Sequence, residues 1–316
     1  MVKLIVQRLI FSVITLTIVA IVVFAMTDLL PGDWATAYFG RWATEAGLAA
    51  MREEYGLNRP ATERFAEWLS NALQGDFGAS LSRNEPVVEL ISFRLRNSLL
   101  LGGLAALFTI PLATLLGIIA GLRRDRTPDV IISTGSIVGM STPEFVIGTL
   151  LIWILSVGLG LFPSITLLNP DAPIADLLPN VVMPTVTLTI ASSAYLLRMV
   201  RTITINVLTS DYVEMATLKG LPRARVVFRH ALPNILLPTI NIMALMLSGL
   251  LGGTFVVEVV FNYPGLGRAL VDAVSFRDVP MIQAIALLWA VMYVFFNLGA
   301  DLVTTFLDPR LRSLRG

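Results

Sequence analysis

Six apolar stretches, each long enough to cross a bilayer, dominate this 316-residue chain and constrain its fold more than any other feature. They run over residues 9–27, 98–122, 130–159, 181–197, 235–257 and 281–307. A helix needs about 20 residues to span the hydrocarbon layer. In lipid every backbone N–H and C=O must be satisfied within the chain, so runs of this length fold as helices. Composition agrees. The chain is 55% hydrophobic and 14% charged, with a mean hydropathy of +0.78, whereas soluble domains carry about a quarter charged residues. The expected fold class is an all-α polytopic membrane protein with six transmembrane helices. The third stretch carries Pro143 near its middle and is expected to be kinked or broken there. The first follows Lys3 and Arg8 as a signal peptide would. Asp28-Leu29-Leu30-Pro31-Gly32-Asp33 offers no small-residue cleavage site, however, so this helix is expected to be retained.

Charge between the stretches sets an orientation. Lys3, Arg8, Arg123, Arg124, Arg126, Arg198, Arg201, Lys219, Arg223, Arg225, Arg229, Arg310, Arg312 and Arg315 all fall on one side of a six-span chain. The opposite loops are rich in acids, among them Asp28, Glu45, Glu63, Glu67, Asp171, Asp176, Glu258, Asp272 and Asp278. Excess Lys and Arg mark the cytoplasmic side, which places both termini there. The resulting division is a first span at 1–28, an extracytoplasmic segment at 29–97, a five-helix core at 98–310 with a cytoplasmic loop at 203–234, and a cytoplasmic tail at 311–316. Within the outer segment, Glu45–Tyr55 and Thr62–Leu73 read as helices, with Asn58-Arg59-Pro60 as the break and Gly75-Asp76-Phe77-Gly78 as a turn. That segment is too poor in apolar residues for a core of its own.

Several chemistries are excluded. The chain has no cysteine and a single histidine, His230, so thiolate and multi-histidine metal sites cannot form and no metal centre is expected. It lacks a G-x-x-x-x-G-K-[ST] phosphate loop, an H-E-x-x-H helix and a G-x-S-x-G elbow. No catalytic constellation is therefore expected. Within the spans the ionisable residues noted are Glu144, beside Pro143, and Asp301. Either could serve an ion-coupled carrier, or play a purely structural part.

Against this sparse background Asp211–Asn234 stands out as a dense polar island. One reading is a loop that only obeys the positive-inside rule; the other is a docking element for a soluble partner. Its internal pattern favours the second. Tyr212, Glu214, Ala216 and Leu218 form a helical pattern that ends at Gly220. Leu221-Pro222 breaks the chain, and Arg223, Arg225, Arg229 and His230 begin a basic helix. A glycine there permits the left-handed cap that stops a helix. Leu218 and Leu221 would offer apolar anchors, Tyr212 and Phe228 would fill pockets, Glu214 would accept from a partner arginine, and the arginines would meet partner carboxylates. Pro143, Pro184, Gly249, Gly252 and Gly253 are candidate points of bending or close helix contact.

At this island the chain resembles importer-type ABC transporter permeases, whose cytoplasmic loop reads E-A-A followed four residues later by glycine. Glu214, Ala216 and Gly220 match, with Met215 in place of the first alanine. His230, Leu232, Asn234 and Pro238 match the continuation seen in the dipeptide and oligopeptide branch. The likeness extends along the chain through Tyr55-Gly56-Leu57-Asn58, Gly75–Ser80, Thr142–Val146, Phe162-Pro163-Ser164, Glu258, Pro264–Gly267, Arg277-Asp278 and Leu307–Arg310.

The resemblance implies the type I importer permease fold and a pore subunit in the inner membrane of a prokaryote. Its partners would be a second permease, related but distinct, two cytoplasmic ATPase subunits that bind ATP and Mg, and an extracytoplasmic solute-binding protein. The chain itself would bind no cofactor and catalyse nothing. Tyr212, Glu214, Ala216, Leu218, Gly220, Arg223, Arg225, His230 and Asn234 are the residues expected to couple it to the ATPases. Pro143, Glu144 and Glu258 are expected on the translocation path or gate. Di- or oligopeptides are the favoured cargo. Glutathione, a nickel chelate, an opine or an oligosaccharide is the alternative within the family, and an ion-coupled secondary carrier the alternative outside it.

Overall fold

The computed structural model describes residues 2–29, 44–54, 56 and 58–307. Tyr55, Leu57, Asp33, Arg310, Arg312, Arg315 and the 311–316 tail, all invoked above, lie outside the described residues. Among the described residues the chain is helical, with one isolated bridge between Ala79 and Pro86 as its extended element. Prolines set many of the helix starts. Pro60, Pro143, Pro173 and Pro222 each precede a helix with φ between −52° and −61° and ψ between 137° and 145°. The ring fixes φ, and the missing N–H removes a donor that a helix start would leave unsatisfied.

Five helices are long and apolar enough to cross a membrane, or six if a bent pair is one span. The bent pair is α5 (Thr127–Ser141) and α6 (Glu144–Leu151, continuing through a wide π-type stretch at Ile152–Gly158), which meet at 105° across Thr142-Pro143. The expected break at Pro143 is therefore a sharp one.

The chain divides into two compact units. The first comprises Met1–Ser98, Asn169–Asp171 and Pro264–Val294. It holds α1 (Val2–Asp28), α2 (Glu45–Glu54), α3 (Ala61–Leu73), the first residues of α4 (Val87–Leu122), α11 (Leu266–Ser275) and the first half of α12 (Val279–Leu307). Helices are found at Glu45–Glu54 and Ala61–Leu73, where the sequence reading placed two, with Gly75 and Gly78 in the left-handed region (φ 81° and 74°) at the turn after α3. Phe65 and Trp68 of α3 pack on Phe24 of α1 with ring centroids 5.3 and 5.9 Å away, and Arg64 pairs with Asp28 at the end of that helix. Val87, Ile91, Leu266, Ala269, Ala273, Met281, Ala284 and Ile285 form the core of this unit.

Buried polar side chains fix the connections of the first unit. Asn97, fully buried, donates to the carbonyls of Pro170 (3.0 Å) and Pro264 (2.9 Å). Ser98 Oγ accepts the N–H of Leu266 at 2.9 Å, satisfying a donor at the start of α11. Asp278 organises the 80–82 loop by accepting from the hydroxyls of Ser80 and Ser82 and from the N–H groups of Leu81 and Ser82. The Gly75–Ser80 and Arg277-Asp278 motifs, 198 residues apart from Ser80 to Asp278, thus meet in one hydrogen-bonded knot.

The second unit comprises Leu99–Leu168, Ala172–Tyr263 and Phe295–Gly316. Its central helix is α7 (Ile174–Leu208), which packs against α5, α6 and α10 (Leu232–Val260). Leu101, Leu177, Met183, Leu188, Leu196, Phe261 and Tyr263 are sealed in its core. Two glycines of α4 lie tightly against α7. A Cβ on Gly117 would lie 2.7 Å from the carbonyl oxygen of Leu197, and one on Gly121 would lie 2.5 Å from Thr204 Cβ. Gly117 and Gly121 form a G-x-x-x-G pair facing Val200 and Thr204. In lipid there is no hydrophobic drive to bring helices together, so close contact of small residues supplies much of the attraction.

Of the glycines singled out from the sequence, Gly253 is closely packed, whereas Gly249 and Gly252 have open space where a Cβ would go. Pro184 lies buried inside an unbroken α7. Gly121→Leu is expected to force α4 off α7 and to lower stability by about 3 kcal/mol or more. Gly135→Ala, in open space on α5, is expected to be neutral or slightly stabilising. Thermal unfolding of both variants in the same detergent checks the pair.

Candidate functional site

The Asp211–Asn234 island folds into a compact unit built on its own small core. Residues 203–208, taken with this loop from the sequence, are the last turns of α7. Ser210 then begins α8 (Asp211–Leu218). Val213 and Ala216, three positions apart, share the inner face of α8 and pack with Val226, Val207 and Leu221. Leu221, read as an outward anchor, is turned inward instead: the chain reverses at Gly220, and the next apolar side chain falls over the helix it has just left.

Gly220 makes that reversal. Its φ is +76°, its N–H donates to the carbonyl of Thr217 at 2.9 Å, and the N–H of Leu221 reaches back to Ala216 at 3.4 Å. This is a left-handed helix cap that satisfies carbonyls left open at the end of α8. Pro222 then starts α9 (Arg223–Arg225), which continues through a π-type stretch at Val226–Ala231 into α10. α8 is thus joined to the long apolar α10 by a short turn around Gly220 and Pro222.

The outer face of α8 is strongly exposed and apolar. Leu218 is 74% exposed, Met215 53% and Tyr212 45%. Phe228 is 70% exposed on the following stretch. Glu214, Lys219, Arg223, Arg225 and Arg229 are exposed around them, and Asn234 donates to the carbonyl of His230 one turn back. Of the predicted residues, Tyr212, Glu214, Leu218, Gly220, Arg223, Arg225 and Asn234 are at the surface, His230 is half-buried, and Ala216 is internal. The sequence reading missed Met215 as part of the apolar face, because it was weighed as a substituted alanine.

Beneath this unit, α7 is tied to α5 by an ion pair. Arg201 donates from Nε and Nη2 to the two carboxylate oxygens of Asp129 at 2.5 and 2.7 Å, a two-pronged contact. Ser133 Oγ and the N–H of Asp125 donate to the same carboxylate at 3.0 and 2.9 Å. The Asp129 side chain is 3% exposed. Arg201, read from the sequence as one of the charges that set orientation, therefore also has a local structural partner. The signal was an acid, Asp129, set two residues into a helix that follows three arginines.

At the break between α5 and α6, Pro143 is exposed and Glu144 half-buried. The two Glu144 carboxylate oxygens lie 3.0 and 3.2 Å from the point where a Gly253 Cβ would sit, with Leu188 alongside. Glycine at 253 makes room for that carboxylate. Glu258, one turn further along α10, is fully buried. No group of three or more metal-ligating side chains occurs among the described residues.

These features can be set beside known proteins. Residues 113–313 match the family described as binding-protein-dependent transport system inner membrane component. Residues 1–101 match the corresponding N-terminal family of such membrane components. The chain is 35% identical over 308 residues to a probable peptide ABC transporter permease protein, y4tP, of Sinorhizobium fredii, covering 98% of each chain. It is 36% identical over 312 residues to the glutathione transport system permease protein GsiC of Escherichia coli K12, covering 99% of each. In three dimensions it is similar to a crystal structure of an amino acid ABC transporter with histidines. The TM-score is 0.51 at 22% sequence identity, over 69% of this chain and 94% of that one, and this likeness bears on fold alone. The chain belongs to the family of inner membrane components of binding-protein-dependent transport systems.

Proposed function

We propose that this chain is the pore subunit of an ATP-driven importer of peptides or of a related small peptide-like solute. The peptide and glutathione relatives, matched over nearly the whole chain, support that cargo class. The observation that carries the coupling role is α8 itself. It is a rigid helix, capped by glycine, with an apolar outer face and a charged border, and it continues through one proline into a long apolar helix. In this reading both termini and α8 are cytoplasmic, as the distribution of arginine and lysine supports.

Two cytoplasmic ATPases, which hold ATP and Mg, grip α8 of this chain and of a second permease. ATP binding closes the ATPases, draws the two helices together and rocks the spans outward. An extracytoplasmic binding protein then delivers substrate, and hydrolysis resets the pore. Tyr212, Met215 and Leu218 fill a groove on the ATPase, Glu214 accepts from a partner arginine, and Arg223 and Arg225 meet partner carboxylates. His230 and Asn234 hold the turn that follows. Ala216 acts from within by setting how α8 seats on its own core. Pro143 and Glu144 belong to the path or gate, and Glu258 joins them only when the end of α10 moves.

The test is reconstitution. With its partners in proteoliposomes, uptake is expected to require ATP and to ignore an imposed proton or sodium gradient. Glu214→Lys is expected to lower ATP-driven uptake by roughly 30-fold or more, the scale of one interface hot spot of about 2 kcal/mol. Uptake by this chain alone, driven by an ion gradient, would contradict the proposal.

A further inference from the structure

The turn between α4 and α5, within the second unit, gathers positive charge at the end of an apolar span. Arg123, Arg124 and Arg126 follow directly on Leu122, the last residue of α4, and all three are exposed. Arg223, also exposed, arrives from 101 positions away and donates from Nη2 to the Leu122 carbonyl at 3.5 Å. With Arg201, which is bound to Asp129, five arginines stand against two acids, Asp125 and Asp129. Each acid already has an arginine: Arg124 lies 3.2 Å from Asp125, and Arg201 grips Asp129. Arg123 and Arg126 have no ion-pair partner among the described residues. The adjoining 211–229 stretch does not restore neutrality, since its acids, Asp211 and Glu214, are outnumbered by Lys219, Arg225 and Arg229.

Membrane topology alone would be served by the same charges on a loose loop, but this turn is held in shape. The N–H of Arg126 donates to the Arg123 carbonyl at 3.0 Å, which sets the two arginines on one tight turn. Asp125 between them is in the left-handed region (φ 60°), and its N–H donates to Asp129 at 2.9 Å. Through Asp129 and Arg201 the turn is anchored to α7. Along α4, Phe108, Leu112 and Leu115 are spaced by four and three and are 44–59% exposed, so they share one outward face. That face leads over about 20 Å of helix to the arginines. Val130 and Ile131, exposed on the first turn of α5, add apolar surface beside Arg126. An apolar strip that ends in guanidinium groups matches an acyl chain and a phosphate, whose oxygens fit the arginine fork.

We propose that the α4–α5 turn binds the phosphate headgroup of an anionic phospholipid. Arg123 and Arg126 hold the phosphate, Arg223 adds its charge beside them, and an acyl chain lies along the Phe108–Leu115 face. The inference rests on the chain spanning a bilayer, and on neither its cargo nor its ATPase partners. The positive balance selects an anionic headgroup over a zwitterionic one, whose own cation would face the arginines. Because Arg223 begins α9, the bound headgroup stands next to the Asp211–Asn234 unit.

The experiment titrates the full chain, purified in detergent with whatever subunits accompany it, with phosphatidylglycerol or phosphatidylcholine. Bound lipid is counted by native mass spectrometry. The wild type is expected to hold one phosphatidylglycerol about tenfold more tightly than phosphatidylcholine. Arg123→Gln and Arg126→Gln are each expected to weaken phosphatidylglycerol by about fivefold, and together by about tenfold or more, with phosphatidylcholine unmoved. Arg123→Lys with Arg126→Lys keeps the charge and is expected to retain most of the affinity. Arg59→Gln removes a charge from the outer segment and is expected to change nothing.

Equal affinity of the wild type for the two lipids overturns the proposal, as does phosphatidylglycerol binding that the double glutamine variant leaves unchanged. Displacement of the lipid by millimolar inorganic phosphate would show that a free anion fills the cluster, and also overturns it. So does phosphatidylglycerol held by the chain alone but absent when other subunits are bound, because a partner then covers the arginines. Each of these results leaves the importer reading intact.

Discussion

Gly220→Trp is expected to abolish uptake while leaving the spans folded. Gly220 sits at φ +76°, where a side-chain-bearing residue is disfavoured by about 1–2 kcal/mol. Nothing in the chain lies within 4 Å of the position its Cβ would take. The first side-chain atom there meets no residue beyond its chain neighbours, so the loss of function is expected to come from the altered cap and from bulk added to the outer surface. Both fall on α8. Relaxing the cap would release Leu221 from Val213 and Val226 and change the angle at which α8 meets Pro222. The added ring would stand beside the exposed face formed by Leu218 and Met215.

Uptake is expected to fall by roughly 100-fold or more, a loss equivalent to about 3 kcal/mol at one interface. The unfolding temperature in detergent is expected to shift by only a few degrees. Gly220→Ala, which carries the conformational cost without the bulk, is expected to lose about tenfold. Near-normal uptake by the tryptophan variant would remove α8 as the coupling element.

A large loss of stability is also expected at Arg201. Replacing it with methionine leaves the Asp129 carboxylate, 3% exposed, facing α7 without its two-pronged donor. Ser133 and the Asp125 N–H remain, but neither carries a charge. Breaking a fully buried pair from one side costs about 3–5 kcal/mol; Arg201 is 27% exposed, so water can reach the bared carboxylate and the loss is expected at the lower end of that range. The double variant Asp129→Asn with Arg201→Met removes that stranded charge and is expected to recover most of the loss. The double-mutant cycle therefore separates an ion pair from simple packing at position 201. Equal losses in the single and double variants would show that the loss does not come from a stranded Asp129 charge.

Those two sites differ in how visible they were in the sequence, and the difference is physical. Gly220 was legible because helix, glycine and proline in that order admit few backbone paths, and φ at the glycine follows from them. The break at Pro143 was legible for the same reason, although its 105° bend was not. The Asp129–Arg201 pair was hidden because counting charges by side treats each residue as facing water. A pair formed across 72 positions leaves no local pattern.

That pairing also bears on why α7 runs from Ile174 to Leu208 rather than over 181–197 alone. Arg201 is bound to Asp129 and need not mark the end of a helix, and Pro179 is accommodated inside α7. Gly117 and Gly121 were legible in principle from their spacing in an apolar run. Of Gly249, Gly252 and Gly253, singled out instead, Gly253 is closely packed within the chain and the other two face open space, because spacing alone does not say which face meets a neighbour. Leu221 was misplaced because the reversal at Gly220, although foreseen, was not followed through to the side chain after it. The Ser80 loop and Asp278 meet across 198 positions, a contact between remote motifs that only the folded chain brings together.

The central claim is that this chain works as part of an assembly gripped at α8. Its most direct test is purification of the tagged chain from its native membrane in mild detergent, with every co-purifying subunit identified by mass spectrometry. The account predicts recovery of a second permease and cytoplasmic ATPases from the wild type, and loss of the ATPases, with the permease pair retained, from Gly220→Trp. Recovery of this chain alone, active in liposomes on an ion gradient, would contradict it.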